Sequence, residues 1–321
     1  MPVVPVFTAR DVYAALDPSG AVEAVRGAFV EHARGAWTMP SKLYLDAPPN
    51  GDFRAMPASG GGWAVLKWVN SYPGNPARAL PTVSGVVLLS ETETGQLHAV
   101  LDAGAVTALR TGAAAVLAAE TLARPTLARA AVVGVGVNGR AVARTFLARE
   151  REVQLWDAEP AQARLVAGEL GEGATVAADL ADALAADIVV TVTPGREVLF
   201  HDGSLHAGQH VSLMGADGPG KAEIAVEELV RAHVVCDEWE QASHNGDISH
   251  ALEARKLRRE QVAELGKILL GEQIGRRDEH EITVFDSTGL AVQDLAVSVA
   301  VYTRYRDAPA SFPDVAGVEL G

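Results

Sequence analysis

The chain has a single cysteine, Cys236, so it can form no internal disulfide, which suits a reducing cytoplasm. Positive charge is scarce: the formal net charge is −14 at pH 7, whereas a nucleic-acid surface needs a basic stripe that displaces counterions. The start, "MPVVPVFTARDVYAAL", lacks the basic segment and the long apolar core of a secretory signal. No apolar run reaches the length of a membrane span, and no internal repeat is visible. Nine histidines are scattered without an HExxH or a Cys/His zinc spacing, so no metal site is expected. There is no G-x-S-x-G elbow either. What is present is enough for a sizeable core: 48% hydrophobic residues in a chain of 321, which fits two modest domains or one large one.

The middle of the chain alternates strand and helix. "ARAAVVGVG" is a short valine-rich run ending in glycine, as in a buried parallel strand. "GRAVARTFLARE" follows with helical spacing, and "EVQLWD" reads as a second strand ending at Asp157. "EPAQARLVAGELG" opens on Glu-Pro and closes on glycine, as helices often do. Strand "ATVAA", helix "LADALAA", strands "DIVVTVT" and "HVSLMGA", helix "KAEIAVEELVRA" and strand "HVVCDE" continue the rhythm. The pattern predicts an α/β fold with a Rossmann-type, doubly wound parallel sheet covered on both faces.

Within it, Gly134, Gly136 and Gly139 stand in the spacing G-x-G-x-x-G. Three such glycines alone mean little among 31. Here a strand precedes them, a helix follows, and an acidic residue ends the next strand. Gly134 permits the tight turn, Gly136 lets a pyrophosphate approach the backbone, and Gly139 lets helix and strand pack closely. The helix beginning near Asn138 would aim its free N–H groups at the phosphates. Asp157, about twenty residues on, can accept hydrogen bonds from a ribose diol and would repel a 2′-phosphate, so NAD is favoured over NADP.

A second glycine loop, "GADGPGKA" at 215–222, nearly matches the P-loop but ends in Ala222, which has no hydroxyl for Mg²⁺. Pro219 also removes a backbone N–H from any phosphate cradle. Asp217 in this loop follows a predicted strand, where a carboxylate would face the ligand crevice. The alternative is that Asp217 caps the next helix.

The front of the chain is β-rich rather than βαβ, so a separate domain is expected. "GGWAVLKWVNSYPGN" reads as a strand from Trp63 to Asn70 and a Pro-Gly turn, and "LPTVSGVVLLSETETGQLHAVLD" as a hairpin turning near Glu93-Thr94-Gly95. Lys67 sits among apolar strand neighbours, either facing solvent or turned inward. Arg110 is the only charge in "AGAVTALRTGAAAVLAA". A buried guanidinium needs a partner, and its fork suits a carboxylate or phosphate. An anionic ligand is the better reading, an internal salt bridge the other. "QASHNGDISHALE", with His244 and His250, reads as polar and exposed, and "EARKLRRE" as a solvated helix face.

"MPASGGGWAVLKWVNSYPGN", "LPTVSGVVLLSETETGQLHAVLDAGAVTALRTGAAA", "VVGVGVNGRA", "GADGPGKAEI" and "VFDSTGLAVQDLA" occur in this order. Together they resemble the ornithine cyclodeaminase/mu-crystallin family, which also includes alanine dehydrogenases and ketimine reductases. The resemblance spans nearly the whole chain. It implies a homodimer in which a mixed α+β substrate-binding and dimerisation domain, residues 1–113 with 291–321, accompanies a Rossmann NAD-binding domain, 114–290. It implies that Lys67 and Arg110 hold a substrate carboxylate with Thr82 nearby, that Arg110 and Thr111 lie near the cofactor phosphates, and that Ser287 of "DSTG" belongs to the cofactor set. Asp217 matches the family's catalytic acid/base, and Lys67 would polarise an imine or hold the carboxylate.

One departure stands out. Lys42 of "MPSKLYL" occupies the place where several relatives carry arginine, which keeps the charge but loses the bidentate fork. The implied chemistry is hydride transfer between NAD and Cα of an L-amino or cyclic imino acid. Cyclodeamination, oxidative deamination and ketimine reduction share that geometry, and a non-catalytic NAD(H)-binding protein is the alternative. No nucleic-acid or membrane partner is expected.

Overall fold

The chain opens with β1 (Val3–Phe7), α1 (Ala9–Ala15) and α2 (Pro18–Ala33), elements that begin where short polar side chains can cap them. Asp11 Oδ2 accepts the Thr8 N–H at 2.9 Å, and Asp17 Oδ1 accepts the Gly20 N–H at 2.6 Å ahead of Pro18. Five strands follow: β2 (Leu43–Ala47), β3 (Gly51–Gly60), β4 (Trp63–Ser71), β5 (Val83–Glu91) and β6 (Leu97–Asp102). The β5–β6 hairpin turns through Gly95 at φ +75°. α3 (Ala103–Leu122) comes next, with Asp102 Oδ1 accepting the Ala105 N–H at 2.7 Å. This computed structural model describes residues 3–125, 129–216, 218 and 220–319.

The second half runs β7 (Ala130–Val133), α4 (Val137–Ala148), β8 (Val153–Trp156), α5 (Pro160–Leu170), β9 (Ala174–Val176), α6 (Leu180–Leu184), β10 (Ile188–Thr191) and β11 (His210–Leu213). It continues with α7 (Val226–Arg231), β12 (His233–Cys236), α8 (Trp239–Asn245), α9 (Ile248–Glu253), β13 (Val262–Glu264), α10 (Leu265–Leu269) and β14 (Thr283–Asp286). α11 (Ala291–Asp307) and β15 (Ala316–Glu319) close the described chain.

These elements form two units, Met1–Arg110 with Leu290–Gly321, and Thr111–Gly289. The first holds a mixed seven-stranded sheet in the order β15-β1-β6-β5-β4-β3-β2. Along β4, Val65, Lys67 and Val69 are buried while Leu66 and Trp68 are exposed, the period-two signature of a sheet with one packed face. α11 lies on the packed face, against β3, β4, β5 and α2.

The second unit holds an all-parallel eight-stranded sheet in the order β13-β12-β14-β11-β10-β7-β8-β9. Ala130 and Val132 face one core with Ile188, Val190 and Phe146, while Ala131 and Val133 face another with Val189, Val211 and Leu213. Both faces are covered, so every β7 position is apolar. The strand order reverses between β7 and β10, and at such a switch point a doubly wound sheet opens its ligand crevice.

Four expectations need correction. α3 is long and apolar enough, by length and composition, to cross a membrane, although 78% of that stretch is buried inside the protein as a core helix. The helix expected over 221–232 begins only at Val226, because the chain before it bends at Glu223 and Ile224 bridges Phe200. The segment around His244 and His250 forms α8 and α9, and Gln241, Asp247 and Ile248 there are buried; His244 stays exposed, while the His250 ring meets Lys221 O at 2.8 Å. "EARKLRRE" is no helix face: α9 ends at Glu253, and Arg255 turns the chain at φ +56°.

Candidate functional site

In the second unit, β7 runs straight into the glycine loop. Gly134 has φ +89°, a conformation few other residues adopt, and a Cβ on it would lie 2.7 Å from Val192 O. A Cβ on Gly139 would collide with the Gly134 carbonyl, which accounts for the glycine there. Gly136 differs: a Cβ on it meets nothing within 4 Å, so packing does not demand a glycine. It is the N-cap of α4 and makes no side-chain capping bond, so the first N–H groups of the helix lack a side-chain acceptor. Beside them Asn138 is half-buried and Val137 is 70% exposed. An open cradle before an uncapped helix N-terminus fits a pyrophosphate.

Asp157 follows β8 at the same sheet edge. Its Oδ2 accepts the Val135 N–H at 2.8 Å and its Oδ1 accepts the Glu159 N–H at 3.0 Å. The carboxylate thus braces the glycine loop with one lone pair per oxygen and keeps others for a diol. Thr111, at the head of this unit, has a buried hydroxyl oxygen without a hydrogen-bond partner.

Behind the crevice lies a set of buried carboxyl groups that sequence reading missed. Glu223 Oε2 accepts from Thr191 Oγ1 at 2.7 Å and Gly215 N–H at 2.9 Å, and its Oε1 from Thr193 Oγ1 at 2.5 Å. It ties the ends of β10 and β11 together. Asp247 Oδ1 accepts the Glu223 N–H at 2.6 Å, Asp286 Oδ2 the Ile248 N–H at 2.9 Å, and Asp237 Oδ2 the Thr288 and Gly289 N–H groups at 2.7 and 2.8 Å. Burial pushes Glu223 upward; burial and then Glu223 push Asp247 up to about 7; burial and then Asp247 push Asp286 well above the carboxylate range. Ser287 is buried and donates its hydroxyl to Asp237 at 3.1 Å.

In the first unit, Lys67 does not face solvent. Its residue is 1% exposed, and Nζ donates to Asp294 Oδ1 at 2.8 Å, with Oδ2 2.7 Å away and Thr107 Oγ1 at 3.4 Å. Burial lowers Lys67 to about 8 against the opposing pull of Asp294. Arg110 comes from α3 to the same carboxylate, with Nε 3.7 Å from Asp294 Oδ1 and no hydrogen-bond partner for that nitrogen. The internal salt bridge and the anionic ligand are therefore compatible: one carboxylate faces two cations, and one positive charge is left over. Lys42 is half-buried in the loop before β2. Thr82, before β5, is half-buried and accepts the Tyr72 N–H at 2.7 Å through its carbonyl.

Asp217 and Pro219 lie outside the described residues. α7 starts at Val226, with Ala225 as its N-cap. Asp294 was legible as a letter in "AVQDLA" but had no local signal of its partner.

The glycine loop before an uncapped helix lies in the second unit, and the buried Lys67 and Asp294 lie with Arg110 in the first. The chain matches the Ornithine cyclodeaminase/mu-crystallin family over residues 4–308 and belongs to it. It is 40% identical over 304 residues to an alanine dehydrogenase of Archaeoglobus fulgidus, covering 92% of this chain and 94% of that one. The solved structure of an archaeal alanine dehydrogenase dimer with bound NAD aligns over 100% of both chains, with a TM-score of 0.92 and 37% identity. That of Thermococcus litoralis Delta(1)-pyrroline-2-carboxylate reductase, in complex with NADH and L-proline, aligns over 99% of this chain and 100% of that one, with a TM-score of 0.89 and 25% identity.

Proposed function

We propose that this chain is an NAD-dependent enzyme that transfers hydride at Cα of a small L-amino acid with one carboxylate, releasing a keto acid and ammonia. The observation that carries the reading is the buried set Lys67, Arg110 and Asp294, whose surplus positive charge calls for one anionic group. The 40% identity to an alanine dehydrogenase supports an alanine-like substrate.

The first unit binds the substrate, and the second binds NAD. Arg110 and Lys67 hold the carboxylate, with Lys42 and Thr82 as further substrate contacts. The first N–H groups of α4, at Gly136 and Asn138, receive the pyrophosphate with Thr111. Asp157 accepts the ribose hydroxyls, and Ser287 flanks the cofactor. The nicotinamide, when bound, supplies the hydride acceptor. Asp217, by its match to the family motif, takes the proton of the substrate nitrogen and of the water that attacks the resulting imine. The balance is amino acid, NAD⁺ and water to keto acid, ammonium, NADH and one proton.

The enzyme acts as a homodimer in the cytoplasm. The exposed face of the first sheet supports the dimer: Leu43, Leu45, Trp68 and Val86 are 59, 55, 38 and 41% exposed there, an apolar patch of the kind that pairs subunits. A second reading, reduction of a cyclic imino acid, draws on the likeness to the pyrroline-2-carboxylate reductase.

A substrate panel tests the reading: L-alanine, L-ornithine, L-lysine and Δ¹-pyrroline-2-carboxylate, followed by NADH absorbance and ammonia release. Ammonia together with NADH from L-alanine is the expected result. Ammonia from ornithine without net NADH means cyclodeamination, and NADH loss with the cyclic imine alone means reduction. Tight NADH binding without turnover of any of them means a binding protein.

A further inference from the structure

Three elements of the first unit bring one charged group each to a single buried point: Lys67 from β4, Arg110 from α3 and Asp294 from the first turn of α11. Asp294 is fully buried, and both of its oxygens lie within 2.8 Å of Lys67 Nζ. From β3, Arg54 also acts on Lys67, but its own guanidinium is held by Asp52 at 2.6 Å. On β5, the residue paired with Lys67 is apolar Val87. Asp294 is thus the anion that faces Lys67 at contact distance, and among the described residues the other charges acting on that amine are the cations Arg110 and Arg54.

We infer that Asp294 is a positioning residue: its carboxylate keeps Lys67 an ammonium and fixes Nζ beside the Arg110 fork, so that the two cations meet one substrate carboxylate together. The inference rests on the proposed substrate reading for what the cations bind, but not for what Asp294 does to Lys67. A buried ammonium without an anion tends to shed its proton. Here burial, Arg110 and Arg54 all push Lys67 toward the neutral amine, and only Asp294 opposes them. A neutral amine keeps its place but loses its charge, so it holds a carboxylate weakly and has no acidic proton to lend an imine. A core ion pair with no functional consequence predicts something different: its loss lowers stability and leaves Lys67 chemistry unchanged.

The chain has five lysines, Lys42, Lys67, Lys221, Lys256 and Lys267, so lysine-selective ¹⁵N labelling resolves each Nζ, with Lys67→Arg giving the assignment. The titration is followed by NMR on the NADH-bound protein, beside the pH profile of kcat/KM for L-alanine. In Asp294→Asn the Lys67 signal is expected to titrate about one unit or more below its wild-type position. The alkaline fall of kcat/KM should move down by the same amount. Asp294→Glu keeps the charge and shifts it by one methylene, so it should restore the titration while kcat/KM stays reduced. It also serves if the Asn variant fails to fold. An unmoved Lys67 signal in Asp294→Asn overturns the inference, as does an Asp294→Glu variant with wild-type kcat/KM. If Lys67 shifts as expected while L-alanine is not turned over by the wild type, Asp294 keeps its role and the substrate reading falls instead.

Discussion

The two units bury charge of opposite sign and neutralise it in different ways. In the first, two cations share one carboxylate, and a positive charge is left without a counterpart among the described residues. In the second, Glu223, Asp237, Asp247 and Asp286 lie buried behind the crevice, and backbone N–H groups and hydroxyls satisfy them. Burial raises Asp247 to about 7 and Asp286 well above the carboxylate range, so each holds a proton more tightly than a free carboxylate does. Arginine cannot shed its proton at any ordinary pH, so a surplus guanidinium waits for an anion from outside, whereas a surplus carboxyl simply protonates. That asymmetry separates a cluster with surplus positive charge from a brace built on backbone N–H groups.

The sharpest way to break this contrast is Lys67→Ala, which leaves Asp294 with Arg110, whose Nε is 3.7 Å away. Breaking a buried pair costs about 3–5 kcal/mol, so chemical denaturation should show a loss of that order; a loss within error would mean that the pair is hydrated in solution. A smaller effect is expected from Asp247→Asn. The folded-state value of Asp247, about 7, lies above the ordinary 3.8. The folded protein therefore holds that proton more tightly than the unfolded chain, and stability falls as pH rises from about 4 to about 7. The Asn variant should flatten that slope and gain on the order of 2 kcal/mol at pH 8 relative to the wild type. Identical pH–stability curves for the two proteins would remove the proton from the account of the brace.

An effect of similar size belongs to the cofactor side. Asp157→Ala should weaken NADH binding by about 2 kcal/mol, roughly thirtyfold, through the lost diol bonds. NADPH binding should weaken less, since only the brace on Val135 N–H is lost to both. Fluorescence titration reads the two affinities, and equal losses would reduce Asp157 to a loop brace.

Much of the second unit was readable beforehand because its signals are local. The valine runs, Gly134, Gly136 and Gly139, and Asp157 at the end of β8 all lie within one strand–helix–strand stretch. The front half was less readable: α1 and α2 were missed despite the caps at Thr8 and Asp17, because the hairpin signals drew the reading toward strands. The burial of α8 and α9 was missed because Asp247 and Gln241 look like surface residues until the backbone groups that surround them are known.

Periodicity and spacing alone determined the doubly wound sheet, the glycine turn between β7 and α4 and the presence of an unusual arginine in α3, since each depends on residues a few positions apart. Only the tertiary structure decided that Lys67 points inward, that Asp294, 227 positions away, is its counter-ion, and that four carboxyl groups share one buried layer. A charge finds its partner through packing between distant segments, and nothing in the local order of residues encodes which segments will meet.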